Sequence, residues 1–220
     1  MCTYKYTYHI LCKISKEKIL KGYHGTTPQN AEDILNNQKV IVTPFKITAD
    51  FVIPSGQRLP NDLGQGLYLF LDSDKPKFDG KQCAKLYAHR WRNEDNKVSL
   101  ILFDIDESDI FPLDLNKPEN AEKFSEIRDK LVQRVEQRLT TFKEGKILDR
   151  ANIDGIFIEY LVQHFLENKV DIVIKDTYTP FYSSRNTLSS FPNGRELCLR
   201  NMELINWEET KEAFYIKNQE

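Results

Sequence analysis

The arrangement of strand and helix patterns along the chain is the strongest constraint on its fold. Short apolar stretches with strand character lie near both ends, and the patterns between them have the period of amphipathic helices. The expected strands are 8–14, 18–23, 67–71, 98–105, 170–174, 196–199 and 214–216, and the expected helices begin at 28, 81, 118 and 152. Strands grouped in this way indicate the α+β class. We predict a split antiparallel β-sheet core with flanking helices and a helical insertion at about 116–168.

Size and composition are those of a single globular domain. The chain has 220 residues, of which 40% are hydrophobic and 29% charged, which is ordinary for a protein with one core. We therefore expect one domain over residues 1–220. The longest apolar runs, such as Val98–Ile105, are far shorter than the roughly 20 residues of a membrane helix, and the N-terminus lacks the pattern of a signal peptide. These features predict a cytoplasmic protein with no membrane partner.

The cysteines and the charges bear on metals and nucleic acids. Cys2, Cys12, Cys83 and Cys198 form no CxxC pair, and only four histidines are present to join them, so we predict no metal site. The net charge is −2 and the charged residues are mixed along the chain. This balance gives no broad basic surface for sequence-independent binding to nucleic acid, which makes such a target less favoured without excluding it.

The first segment suited to chemistry is Tyr23–Thr27, YHGTT. It follows a strand pattern and precedes a helix start, with Thr27 as the N-cap and Pro28 at the first helical position. A glycine beside His24 would let a ligand approach the backbone closely, and the N–H groups of a helix N-terminus suit phosphate. The plainer interpretation is a surface histidine next to a turn glycine.

The second segment is Asp62–Leu71, DLGQGLYLFL. Strand alternation places its three later leucines on one face and Tyr68 and Phe70 on the other. If the leucines face the core, Tyr68 faces a cleft, where its ring can stack on a planar heterocycle. The alternative is a tyrosine that fills the core.

The third segment is Asn193–Asn201, NGRELCLRN. Here Glu196 opens a strand on the face opposite two leucines, so that it can point into a cleft from a rigid element. The alternative is an edge carboxylate paired with Arg195 or Arg200.

Taken in order, the YHGT, GxGLY and late-acid motifs resemble those of the diphtheria-toxin-like and poly(ADP-ribose)-polymerase-like ADP-ribosyltransferases. They are most similar to small bacterial members in which D-x-G-x-G-x-Y precedes an alanine-containing helix, here Gln82–Ala88. The matches cover residues 20–36, 61–91 and 193–201, and residues 104–180 match nothing familiar. The resemblance implies an ADP-ribosyltransferase-like fold and a catalytic triad of His24, Tyr68 and Glu196.

The resemblance also assigns roles toward NAD, which would be a co-substrate used without a metal. Tyr68 would stack on the nicotinamide, the Gly25 backbone would bind its carboxamide, and His24 would bind a ribose hydroxyl. Thr26 belongs to the same NAD-binding segment, and Tyr87 would be a second stacking ring. Glu196 would stabilise the positively charged sugar of the transition state.

The implied activity is mono-ADP-ribosyl transfer from NAD to a macromolecule, with release of nicotinamide. The acceptor is undecided among protein, DNA and RNA. By analogy, a compact chain of this kind is a bacterial toxin of a toxin–antitoxin or phage-defence system, with an antitoxin protein as its partner. Three alternatives compete: an NAD glycohydrolase, an inactive binding module with this fold, and an RNA 2′-phosphotransferase, against which Glu196 argues.

Overall fold

The computed structural model describes residues 19–92, 97–139, 152–181 and 189–216. Within these ranges the strands are β1 (Ile19–Thr26), β2 (Leu67–Leu71), β3 (Ser73–Asp74), β4 (Lys77–Phe78), β5 (Val98–Asp106), β6 (Pro112–Asp114), β7 (Ile172–Thr177), β8 (Gly194–Leu199) and β9 (Lys211–Ile216). The helices are α1 (Pro28–Asn37), α2 (Gly80–Trp91), α3 (Pro118–Leu139) and α4 (Asn152–His164), with a 3₁₀ turn at Met202–Leu204. The predicted α+β class is confirmed.

Seven strands form one sheet in the order β6-β7-β8-β2-β1-β5-β9, and β3 pairs with β4 in a separate ribbon. All neighbours in the large sheet are antiparallel except β6 and β7, which are parallel. Parallel neighbours need a long crossover connection, and here α3 and α4 supply it. The helices predicted at 116–168 therefore lie between β6 and β7.

Of all the neighbouring strands in the large sheet, β1 and β2 share the shortest pairing. The whole of β1 pairs with β5 and the whole of β2 pairs with β8, whereas β1 and β2 share only the register pair Tyr23–Phe70. The ends of the two strands beyond this pair, 24–26 of β1 and 67–69 of β2, are not paired with each other. The sheet thus consists of two well-paired halves that join at one point.

The two faces of the sheet are covered differently. On one face the leucines of β2 form an apolar layer with Phe103 and Leu197, and α1 packs there through Ala31. On the other face α2 packs against Phe70, and α4 packs around Cys198. The predicted alternation in β2 and β8 is therefore confirmed.

Helix α4 belongs to the core and not to the surface. Its residues Ile156, Phe157, Ile158 and Val162 are at most 1% exposed, as expected for a helix that is apolar around most of its circumference. The polar residues, prolines and glycines of the stretch 43–63 predict a loop, and the structure has one there. Its residues Phe45, Ile47, Phe51 and Ile53 anchor it in the same cluster as α4. The loop is therefore ordered by packing on α4.

Several boundaries differ from the predictions. Strand β1 continues through His24 to Thr26, because β5 pairs with it that far. The sequence pattern predicts α4 over 152–168, but the helix ends at His164, since Glu167 and Asn168 adopt positive φ angles of 52° and 59°. The helical spacing of Phe124, Ile127 and Leu131 in α3 predicts an apolar stripe that Val135 and Leu139 continue. The first three of these residues pack on the core. The strand predicted at 8–14 and the side chains of Val135 and Leu139 lie outside the described residues.

None of the helices in the described ranges is both long and apolar enough to cross a membrane.

Candidate active site

The three strands that carry the sequence motifs are neighbours in the sheet. β8, β2 and β1 lie side by side in that order, and Phe70 of β2 pairs with Glu196 on one side and Tyr23 on the other. Because side chains alternate along a strand, Tyr68 and Glu196 project from the same face and His24 from the opposite one. The ring of His24 accordingly meets Phe103 of the leucine layer edge-on, with ring centres 6.4 Å apart.

A cleft of about 1000 Å³ opens where β1 and β2 separate. Its size is at the upper end of the range for small-molecule sites. The cleft reaches both faces of the sheet, from Asn30 and Asp33 of α1 on one side to Tyr178 and Thr179 on the other. All of the residues predicted to bind NAD or to act in catalysis line it: His24, Gly25, Thr26, Tyr68, Tyr87 and Glu196.

His24 bridges the gap between the two halves of the sheet. Its Nδ1 lies 2.9 Å from the backbone oxygen of Tyr68, and because a carbonyl can only accept, Nδ1 carries the proton. Burial lowers the pKa of His24, with a smaller contribution of the same sign from Arg92, while the bond to Tyr68 acts against both. The ring is therefore neutral at physiological pH, with Nε2 as an acceptor.

The lowered pKa of His24 predicts a pH-dependent stability. The unfolded chain binds a proton near pH 6.5 that the folded ring takes up only at lower pH, so the free energy of unfolding falls as the pH drops below about 6.5. We expect the wild type to lose more stability than His24→Gln between pH 7 and pH 5. Urea unfolding at the two pH values measures this difference, and equal losses in both proteins would refute it.

Tyr68 is held at its hydroxyl end. Its hydroxyl donates to the backbone oxygen of Gly64 at 3.0 Å and accepts from the N–H of Leu63 at 2.8 Å. Burial is the main reason that the pKa of Tyr68 lies well above the ordinary value of a tyrosine. The phenol is thus a fixed neutral group, and the ring presents a defined surface to the cleft.

Glu196 is a buried acid with two hydroxyl donors. It is only 8% exposed, and its Oε1 accepts from Oγ1 of Thr177 at 2.7 Å and also from Oγ1 of Thr179. The two arginines that the sequence offers as alternative partners bind other carboxylates, Arg195 that of Asp176 and Arg200 that of Glu159. The carboxylate orientation is therefore set by threonines.

Asn193 holds those threonines in place. Its side chain accepts from the N–H of Thr179 and donates to the oxygen of the same residue, both at 2.8 Å, and its backbone N–H donates to the oxygen of Thr177 at 2.8 Å. Sequence reasoning missed Thr177, Thr179 and Asn193. The available signal was a Thr-x-Thr pattern that begins at the last residue of a buried strand.

The structure explains the glycine at position 25 by helix packing and not by the expected approach of a ligand. A Cβ at this position would lie 2.2 Å from the backbone oxygen of Ala84, so the glycine makes room for α2. The idea that its missing side chain admits a ligand is wrong for that side of the strand, although Gly25 still borders the cleft.

Thr26 and Thr27 directly follow Gly25 in the chain, and Tyr87 lies on α2, the helix that packs against it. Thr26 is 3% exposed, and Thr27 caps α1 as predicted, accepting from the N–H of Asn30 at 3.2 Å. Tyr87 lies beside Phe70, with ring centres 5.9 Å apart. Asn30 and Asp33 of α1 line one side of the cleft and Tyr87 lines the other, whereas residues 27–29 at the start of α1 are not among the lining residues. The expected phosphate site at this helix N-terminus is thus not part of the cleft.

Comparison of the chain with protein-family models, curated proteins and solved structures finds no match. Among the residues that the structure describes, no three His, Cys, Asp or Glu side chains are grouped as metal ligands.

Proposed function

We propose that the chain is an NAD-dependent mono-ADP-ribosyltransferase with an ADP-ribosyltransferase-like fold. The observation that carries the proposal is the convergence of His24, Tyr68 and Glu196, from three adjacent strands, on one cleft where β1 and β2 part. The motifs are far apart in the chain, so their meeting supports an interpretation that their order alone suggested.

The cleft has the parts that cleavage of the nicotinamide–ribose bond needs. Tyr68 is tethered at its hydroxyl, so its ring would stack on nicotinamide without first losing conformational freedom. Gly25 would bind the carboxamide through its backbone. Nε2 of His24 would accept from a ribose hydroxyl on the side of the cleft that α1 lines.

Glu196 would act on the transition state. As the glycosidic bond breaks, positive charge develops on the ribose, as in glycoside hydrolysis. A carboxylate that Thr177 and Thr179 already orient stabilises this charge without reorganising during the reaction. Tyr87 would close the nicotinamide side as a second aromatic surface.

The proposed role is that of a cytoplasmic bacterial toxin in a toxin–antitoxin or phage-defence system, with an antitoxin as a partner and a protein, DNA or RNA as the acceptor. Water as the acceptor would make the protein an NAD glycohydrolase, which the same triad supports equally. A binding module with this fold is the remaining alternative.

The test is incubation of the purified chain with NAD labelled in its adenylate part, with and without cell extract. We expect nicotinamide release that a chelator does not abolish, and label on a macromolecule whose sensitivity to nuclease or protease identifies its class. Free labelled ADP-ribose as the sole product would identify a glycohydrolase. No consumption under either condition would refute an enzymatic function, and loss of turnover in chelator that a divalent ion restores would refute its metal independence.

A further inference from the structure

A buried ion pair joins α4 to Arg200, the residue directly after β8, which is the strand that carries Glu196. Glu159 of α4 is 1% exposed. Its Oε1 accepts from Nη1 of Arg200, and its Oε2 accepts from Nη2 at 3.1 Å. Gln163 donates to the same Oε2 at 3.1 Å. This two-point contact is the geometry that distinguishes arginine from lysine.

The pair also holds the turn that leads into β2. Oε1 of Glu159 accepts from the backbone N–H of Gln65 at 2.7 Å, and Nη1 of Arg200 donates to the backbone oxygen of Gln65 at 3.3 Å. Gly64 has φ +91°, and a Cβ there would lie 2.6 Å from Oε1 of Glu159. The glycine is therefore required both by its conformation and by the close approach of the carboxylate.

The same turn supplies both backbone partners of the Tyr68 hydroxyl, the N–H of Leu63 and the oxygen of Gly64. A continuous chain of contacts thus runs from Arg200 and Glu159 through the turn to the end of the Tyr68 ring. Hydrogen bonds form both ends of this chain, and the backbone from Gln65 to Leu63 connects them.

We propose that Glu159 and Arg200 are positioning residues that set the orientation of Tyr68 toward a ligand in the cleft. The proposal rests on the proposed function for the identity of that ligand, NAD. Stability alone does not explain the pair, since apolar residues of similar size usually stabilise a core as well as a buried ion pair does. The polar atoms of the pair instead bind the backbone of the turn that holds the Tyr68 hydroxyl, and the position of this turn determines how the ring meets a ligand.

The decisive variant is the double substitution Glu159→Leu with Arg200→Met. It removes both charges together, so that no unpaired charge is left in the core, and it releases the turn. Arg200→Lys is the conservative second variant, because it keeps the charge and loses the two-point contact. Val162→Ala, one turn along α4, is the control that weakens the core without touching a polar partner of Tyr68.

Two measurements are made on the full chain. In nuclear magnetic resonance of ¹³C-tyrosine-labelled protein, with Tyr68→Phe to assign the signal, we expect the double variant to speed both ring flipping and hydroxyl-proton exchange of Tyr68. In steady-state kinetics we expect KM for NAD to rise by up to about tenfold, the scale of a lost aromatic stack, with kcat within about twofold. Arg200→Lys is expected to lie between the double variant and the wild type.

The proposal would be overturned if the double variant folds and keeps the Tyr68 signals and the KM of the wild type. It would also be overturned if Val162→Ala changes the Tyr68 signals as much as the double variant does. If the double variant fails to fold, Arg200→Lys decides by the same criteria. If the wild type does not consume NAD, the proposed function fails, whereas the Tyr68 signals still decide whether the pair positions this ring.

Discussion

Glu196→Gln is expected to lower kcat by roughly 10²–10³-fold, the usual effect of losing one preoriented electrostatic contact to a transition state. The amide oxygen can still accept from the hydroxyls of Thr177 and Thr179, so the side chain keeps its place and loses only its charge. Because that charge matters once the glycosidic bond is stretched, KM for NAD should change little. Single-turnover rates and NAD affinity by calorimetry measure the two effects, with circular dichroism to verify folding.

The same substitution tests the proposed role as a toxin. Expression of the wild type without a partner should slow bacterial growth, and Glu196→Gln should be tolerated. Glu203→Gln is a suitable control, because it removes an exposed carboxylate of the 3₁₀ turn, outside the cleft, and should remain toxic. Equal growth with wild type and Glu196→Gln would show that ADP-ribosyl transfer causes no harm, and abolished NAD binding in Glu196→Gln would contradict its assigned role.

The features that the sequence predicts well are those with a local signal. The period of two in β2 and β8 places Tyr68 and Glu196 on the face opposite the leucines, and the structure has them there. The capping pattern at Thr27 and the amphipathic pattern of α2 are likewise local, and both elements form where expected. Each of these features follows from the regular geometry of one helix or strand, so the sequence of that segment is sufficient to predict it.

The features that the sequence does not predict depend on contacts between distant segments. Nothing near Glu159 in the chain indicates that it binds Arg200 and the N–H of Gln65. The threonine partners of Glu196, Thr177 and Thr179, lie 19 and 17 residues before it in the chain. Strand alternation also does not reveal that His24, on the opposite face from Tyr68, reaches the same cleft, because this depends on the separation of β1 from β2.

Gly25 is another position whose role depends on a contact between distant segments. A glycine beside a histidine at a strand end suggests ligand access, whereas in the structure it accommodates α2, whose backbone oxygen at Ala84 occupies the space of a Cβ. In the chain, β1 and α2 are separated by α1, the loop at 43–63, β2, β3 and β4. Their contact therefore cannot be inferred from the YHGT motif itself.

Gly25→Ala is accordingly expected to destabilise the protein by about 1–3 kcal/mol, the usual cost of overpacking. The new methyl would stand 2.2 Å from the oxygen of Ala84 and 2.9 Å from the Cβ of Ala88. A backbone oxygen cannot rotate away, so α2 must shift, and Tyr87 on that helix moves with it.

Gly194→Ala is the matched control for this substitution, because a Cβ at position 194 would meet its nearest atom, in the ring of Phe70, at an ordinary 3.4 Å. Urea unfolding should therefore show a much smaller loss for Gly194→Ala, while Gly25→Ala should also raise KM for NAD if Tyr87 borders the bound nicotinamide. If the two variants are equally stable, α2 does not pack on β1 as described, and the glycine of the YHGT motif must be explained by the ligand after all.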